Sequence, residues 1–206
     1  MKIEVEKAAK RYRNEWILRK LDLQFSSDHS YAICGPNGSG KSTLLRMLSG
    51  YLTPTRGKIR FFHEEQPIHT SDLYRYLTLA APYIDLIEEF SLLEALQFHQ
   101  RFQPFLPDIT SQDFLDLLGL PQTAQKKNIR HYSSGMKQRV KIALALCSDA
   151  PLVLLDEPTT NLDRQGVAWY RSLVQQFMTG RLLIIASNVE EDFDFCSRRV
   201  DILDFK

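Results

Sequence analysis

The sequence predicts an α/β fold: a mostly parallel core sheet with an antiparallel β edge and a helical insertion. Three observations carry that expectation. Apolar runs of strand length, "SYAIC", "PLVLLD" and "LLIIAS", recur along the chain. The last two of these strands are each followed by a helical pattern. Between about Pro82 and Cys147, spacing of three and four replaces the period of two that is prominent before it.

The elements follow in order. Residues 1–5 and 21–25 alternate apolar with charged side chains and read as strands with an exposed face. Ser30–Cys34 is a short buried strand that runs into glycines. Residues 42–49 form a helix closed by Gly50, then the turn "TPTRG" leads to a strand at 58–62. In the insertion, Leu92 with Leu96, Phe98 with Phe102, and residues 113–118 and 136–146 keep helical intervals. Strands return at Leu152–Asp156, 182–187 and 200–203, with a helix over about 164–178 and a short one after Ser187. The whole, 1–206, is expected to be one domain. Residues 1–81 and 148–206 form its α/β core, and about 82–147 a helical subdomain.

Composition narrows the function classes. The 26 basic residues stand against 25 acidic ones, so nothing global favours nucleic acid or a membrane surface. The basic run at 125–130 and the acidic run at 189–194 read as solvated faces. Cys34, Cys147 and Cys196 form neither a disulfide framework nor a metal spacing, which suits a reducing compartment. The polar start "MKIEVEKAAKRYRNEW" has no apolar core of a signal peptide, and no apolar run reaches membrane-helix length. Any work at a membrane is expected to go through a partner.

"GPNGSGKS" fits G-x-x-x-x-G-K-[ST] between a buried strand and a helix, the context that gives the pattern meaning. Gly35, Gly38 and Gly40 let backbone N–H groups converge on phosphate oxygens, and the helix start adds its positive end. Lys41 is expected to reach the β- and γ-phosphates, and the Ser42 hydroxyl to ligate Mg²⁺. "PLVLLDEP" delivers Asp156 and Glu157 to the sheet's carboxyl edge. Two adjacent carboxylates on an apolar strand are costly without a cation or phosphate site, so Asp156 is expected to hold Mg²⁺ through water and Glu157 to orient or deprotonate the attacking water.

With these motifs joined by "HYSSGMKQRVKIALAL", the chain resembles the nucleotide-binding domain of ABC ATPases, a P-loop NTPase fold, over nearly all its length. The resemblance implies ATP and Mg²⁺ as ligands and an ATP contact along Gly35, Pro36, Asn37, Gly38, Ser39, Gly40, Lys41, Ser42 and Thr43. It also implies a head-to-tail dimer. Ser133, Ser134, Gly135 and Met136 then form the signature that holds the ATP of the opposite subunit, and Asn161, Leu162 and Asp163 cross the interface. Tyr12 sits where the family stacks a ring on adenine; Trp16 is the other candidate, and either is equally a core residue.

Three positions depart from the family pattern. Ser134 replaces one of two signature glycines. Ala81 or Pro82 stands where the family has a glutamine that touches Mg²⁺, and neither side chain can ligate a metal. Asn188 stands where the family has a histidine on the γ-phosphate; its amide can still donate there, or it is only a turn or capping residue. The resulting expectation is an ATPase subunit that powers an ABC transporter. Its partners are an integral membrane subunit and a second copy or a related ATP-binding chain, with no nucleic acid. Its place is cytoplasmic, on the inner face of the cell membrane through its partner. The cleft formed by residues 82–94 and the helical insertion is the expected docking surface; its stretch "YIDLIEEF" suits a groove for a partner's helix, or is an ordinary amphipathic helix. The alternatives are a non-transport ABC ATPase on a soluble complex, and a degenerate subunit that binds ATP with little hydrolysis.

Overall fold

The computed structural model describes all residues, Met1–Lys206. The chain runs β1 (Lys2–Tyr12), β2 (Glu15–Ser26), β3 (Ser30–Cys34), α1 (Lys41–Leu48), β4 (Arg56–His63), β5 (Gln66–Ile68) and β6 (Leu77–Ala80). Then come α2 (Leu92–Gln100), α3 (Ser111–Leu118), α4 (Gln122–Gln125), α5 (Ser134–Cys147), β7 (Leu152–Asp156), α6 (Arg164–Phe177), β8 (Leu182–Ala186) and β9 (Arg198–Asp201). Strands β2-β1-β4-β5 form an antiparallel sheet, and β6-β7-β8-β3-β9 a second sheet whose pairings are all parallel.

The central strands explain their own placement. β7 reads LVLLD and β8 LLIIA, and every residue of both is buried. Continuous burial of this kind requires cover on both faces. One face packs with α1 and the antiparallel sheet through Leu44, Leu45, Leu48, Phe25 and Phe61. The other packs on α5 and α6 through Ile142, Leu146, Tyr170 and Leu173. A third apolar cluster joins α2, α3 and α5 through Leu92, Leu96, Phe114, Leu118 and Val140.

Four local expectations are corrected. β1 and β2 are much longer than their alternating stretches, because register shifts between Val5 and Ala8 and between Ala8 and Lys10 break the period of two. Lys7 and Lys20 take left-handed backbone there, at φ 43° and 51°. "YIDLIEEF" is not helical; α2 starts later, at Leu92, where Ser91 and Glu94 form a reciprocal capping box. After Ser187 there is only a single 3-10 turn, Glu190–Asp192. The last strand ends at Asp201, whose carboxylate accepts from the Leu203 N–H at 2.9 Å and turns the chain into a 3-10 segment, Ile202–Phe205.

One cation secures the edge opposite the strand tips. The Arg181 guanidinium donates to the carbonyls of Leu146, Ser148, Ala150 and Phe177 at 2.7 to 3.1 Å. It thereby closes the ends of α5 and α6 against the entry to β7 and β8. Burial lowers its pKa to about 10, so it still carries its charge at neutral pH.

Candidate functional site

Strand register sets the site. Ala80 lies opposite Leu155, Asp156 opposite Ala186, and Ile33 opposite Ala186. The segments beginning at Gly35, Ala81, Glu157 and Ser187 therefore leave the sheet along one carboxyl edge, where open parallel sheets bind ligands.

The Gly35–Gly40 loop ends on a helix start prepared for an anion. Gly40 is the N-cap of α1 with φ 103°, and a Cβ there would lie 3.0 Å from Ile17 Cγ2, so glycine is required. No side chain caps α1 and no acidic residue lies in its first turn. Its leading N–H groups are left for a bound anion. Lys41 is buried, and its Nζ donates to the carbonyls of Gly35 at 2.9 Å and Pro36 at 3.1 Å. The ammonium is thus folded back along the loop. Glu157 completes a cleft of about 260 Å³ with Tyr12, Asn37, Gly38, Gly40, Lys41, Ser42 and Thr43.

Asp156 is 1% exposed, and neither of its carboxylate oxygens has a hydrogen-bond partner. Burial raises its pKa; the Ser42 hydroxyl works in the opposite direction, and Glu157 adds to the rise. A buried, unpartnered carboxylate beside a serine hydroxyl fits a divalent cation. The chain has no cluster of three or more His, Cys, Asp or Glu able to hold a metal alone. A cation here would need further ligands from outside the chain. Glu157 takes left-handed backbone, φ 46°, and its N–H is held by the Ala186 carbonyl at 2.8 Å. Such a conformation persists only where its surroundings impose it.

Asn188 is exposed and lines a second cleft with Gly35 and Pro36, beside the start of the phosphate loop. The turn behind it is built by Ser187, whose Oγ accepts from the Val189 N–H at 3.0 Å and donates to the Asp192 carboxylate. The turn therefore belongs to Ser187, and the 3-10 turn that follows has no side-chain cap. Asp192 corrects the reading of residues 189–194 as a solvated face: it is 1% exposed and also accepts from the Thr159 hydroxyl. Burial raises its pKa. The exposed Lys126 and Lys127 do form a solvated face.

The signature lies apart from this cleft. Ser133 caps α5, accepting from the Met136 N–H at 3.2 Å, and Ser134 is exposed. A Cβ on Gly135 would lie 2.9 Å from the Asn161 carbonyl. The two positions thus differ physically: 135 needs glycine and 134 tolerates serine. Asn161 is left-handed at φ 67°, Leu162 is half-buried, and Asp163 caps α6 through the Gly166 N–H at 2.7 Å. None of Ser133–Met136 or Asn161–Asp163 lines the cleft around Lys41.

Trp16 is excluded from that cleft. It shares a different one with Arg19, Lys20 and Arg56, and the guanidinium of Arg56 lies 5.1 Å from its ring. Tyr12, at the end of β1 and 44% exposed, is the aromatic ring at the phosphate loop. Of the two residues at the glutamine position, Ala81 is buried and Pro82 exposed. Sequence reasoning missed the next residue. Tyr83 faces Asp156, and burial together with the Asp156 charge pushes its phenol up to about 12. A cleft of about 980 Å³ includes Pro151 and Arg181 at the amino ends of β7 and β8, away from the phosphate loop.

The sequence model described as ABC transporter matches residues 18–160. The chain belongs to the ABC transporter ATPase family. It is 31% identical over 192 residues to an uncharacterized ABC transporter ATP-binding protein, YybJ of Bacillus subtilis, covering 92% of this chain and 87% of that one. It is 28% identical over 206 residues to the Nod factor export ATP-binding protein I of Cupriavidus pinatubonensis, with 98% of this chain matched. The chain spans 63% of that relative's length. Among solved structures, a putative ABC transporter ATP-binding protein from Pyrococcus furiosus superposes with TM-score 0.82 at 20% identity, over 100% of both chains. A dimeric bacterial ABC transporter cassette superposes with TM-score 0.82 at 21% identity, over 96% of this chain and 93% of that one. These last two likenesses establish the shared fold.

Proposed function

We propose that this chain binds and hydrolyses ATP to power a transporter whose membrane-spanning part is a separate chain. The observation that carries the hydrolytic half is Asp156: a buried carboxylate without a partner, next to Glu157 and Ser42 at the phosphate loop. Residues 35–43 hold the phosphates on backbone N–H groups and the Lys41 ammonium. Tyr12 stacks on the base. Ser42 and Asp156 hold Mg²⁺, which neutralises charge on the phosphate oxygens. Glu157 accepts the proton of the attacking water, and Asn188 donates its amide to the γ-phosphate.

The chain acts as a dimer, with itself or with a relative. Ser133–Met136 of one subunit supply a second helix-start anion site to the ATP of the other. The signature's exposure and its separation from its own cleft support this reading, as does the exposed loop at Asn161 and Asp163. No helix of the chain is long and apolar enough to cross a membrane. An apolar groove of about 330 Å³ runs along 84–90 and α2, with Ile87 41%, Phe98 43% and Phe102 64% exposed. Asp85 and Lys141 line it, while Glu88 and Glu89 are paired with Lys137 and Arg130. Its apolar walls suit the apolar face of a partner's amphipathic helix, and such docking would hold the chain at the cytoplasmic face of the membrane.

The test is recovery of the tagged Glu157→Gln protein with ATP from detergent-solubilised native membranes. A polytopic membrane protein in stoichiometric yield is expected. Soluble partners alone would move the reading to a non-transport ATPase. For Asn188→Ala, turnover is expected to drop by roughly tenfold to 100-fold, the worth of one hydrogen bond to a charged phosphate. Unchanged turnover and ATP affinity would remove Asn188 from the site.

A further inference from the structure

We propose that Tyr83 is a positioning residue of the cation site, its hydroxyl serving the Asp156 carboxylate and the water around the bound ion. The inference rests on the ATPase reading and adds a residue to it. Three observations place Tyr83 there. The first is its position on the chain. β6 pairs with β7 with Ala80 opposite Leu155, so the chain three residues past Ala80 is delivered beside the tip that carries Asp156. The second is the demand at Asp156. Both oxygens are buried and unpartnered, and the Ser42 and Tyr83 hydroxyls are near enough to favour the charged carboxylate. No hydrogen bond joins the phenol to either oxygen. A group so placed serves a hydrated ion through one water rather than binding it directly.

The third observation is what fixes the ring. The Arg46 guanidinium lies 3.8 Å from the centroid of Tyr83, a close cation–π stack. Arg46 is on α1, one turn beyond Ser42, so the two lie on the same helix face. The helix that presents Ser42 thus also clamps Tyr83.

Tyr83 also begins the stretch that forms the apolar groove, through Ile84, Leu86, Ile87 and Phe90. That stretch is pinned to the approach of the signature helix. The Ile129 N–H donates to the Phe90 carbonyl at 2.8 Å, the Arg130 N–H to the Glu88 carbonyl at 3.0 Å, and Lys137 pairs with the Glu88 carboxylate.

The test is an Mg²⁺ titration of fluorescent ATP-analogue binding to the full chain carrying Glu157→Gln, with and without Tyr83→Phe. Phenylalanine keeps the ring and its stack on Arg46 and removes only the hydroxyl. The Mg²⁺ concentration for half-saturation is expected to rise about tenfold, the scale of an outer-shell contact, while analogue affinity in EDTA stays unchanged. An unshifted Mg²⁺ half-saturation, against a reference chain that does respond to Mg²⁺, overturns the assignment and leaves the ATPase reading intact. Equal weakening with and without Mg²⁺ overturns it too, because a structural defect would act that way. A reference chain whose nucleotide binding ignores Mg²⁺ overturns the ATPase reading, and Tyr83's role falls with it.

Discussion

Glu157→Gln is expected to lower steady-state ATP turnover by at least about 100-fold while leaving ATP binding intact. A general base contributes on the order of 10² to 10⁴ in rate, and an amide cannot accept the water's proton. The substitution is nearly isosteric. It keeps the N–H bond to the Ala186 carbonyl and the left-handed backbone at φ 46°. The phosphate loop and Lys41, which carry binding, are untouched. Phosphate release under saturating MgATP measures the first quantity, and equilibrium nucleotide binding the second. The ATP-bound dimer is expected to accumulate in the variant, since the step that opens it is blocked. Equal turnover in both proteins would sink the hydrolytic role and support a subunit that uses ATP only to bind.

Much of this site was legible because its chemistry is local in sequence. The phosphate loop follows one short, mostly buried strand and Asp156 ends another with Glu157 next to it, and such strands have one place to go in an α/β sheet. Their convergence follows from parallel register alone. What escaped notice depends on contacts distant in sequence. Tyr83 acquires its role from Arg46 on α1 and Asp156 on β7, and no spacing around "AAPYID" reveals either. Asp192 looked like one acid among four, yet it is buried by Ser187 and Thr159. The bulges in β1 hid strand from a period-two reading for the same reason: pairing with β2 and β4 maintains it, not local alternation. The serine in the signature was visible as a departure. Its harmlessness needed the Asn161 carbonyl 2.9 Å from where a Cβ on Gly135 would lie.

Asp156→Asn is expected to act in opposite directions on stability and function. It removes a proposed cation ligand, so Mg²⁺-dependent ATP turnover should fall by two orders of magnitude or more. It also removes a buried charge that has no partner in the metal-free chain. The amide stays imperfectly satisfied, so the gain is only part of the cost of burying the carboxylate, about 1–2 kcal/mol. For a chain of this size that corresponds to a Tm rise of roughly 3–6 °C in EDTA. The pH dependence has a definite sign. Burial raises the folded pKa of Asp156 above its ordinary 3.8. At pH below 3.8 both folded and unfolded chains hold the proton, and wild type carries no penalty. As pH rises, the unfolded chain ionises first, and wild type loses stability until the folded pKa is passed. The Tm difference should therefore grow as pH rises above the usual aspartate range and shrink on acidification toward it. Saturating MgATP should reverse the order by stabilising only the wild type through the complete site. Destabilisation of the variant in EDTA at neutral pH would mean that Asp156 is held by protein partners, and the cation assignment would lose its ground.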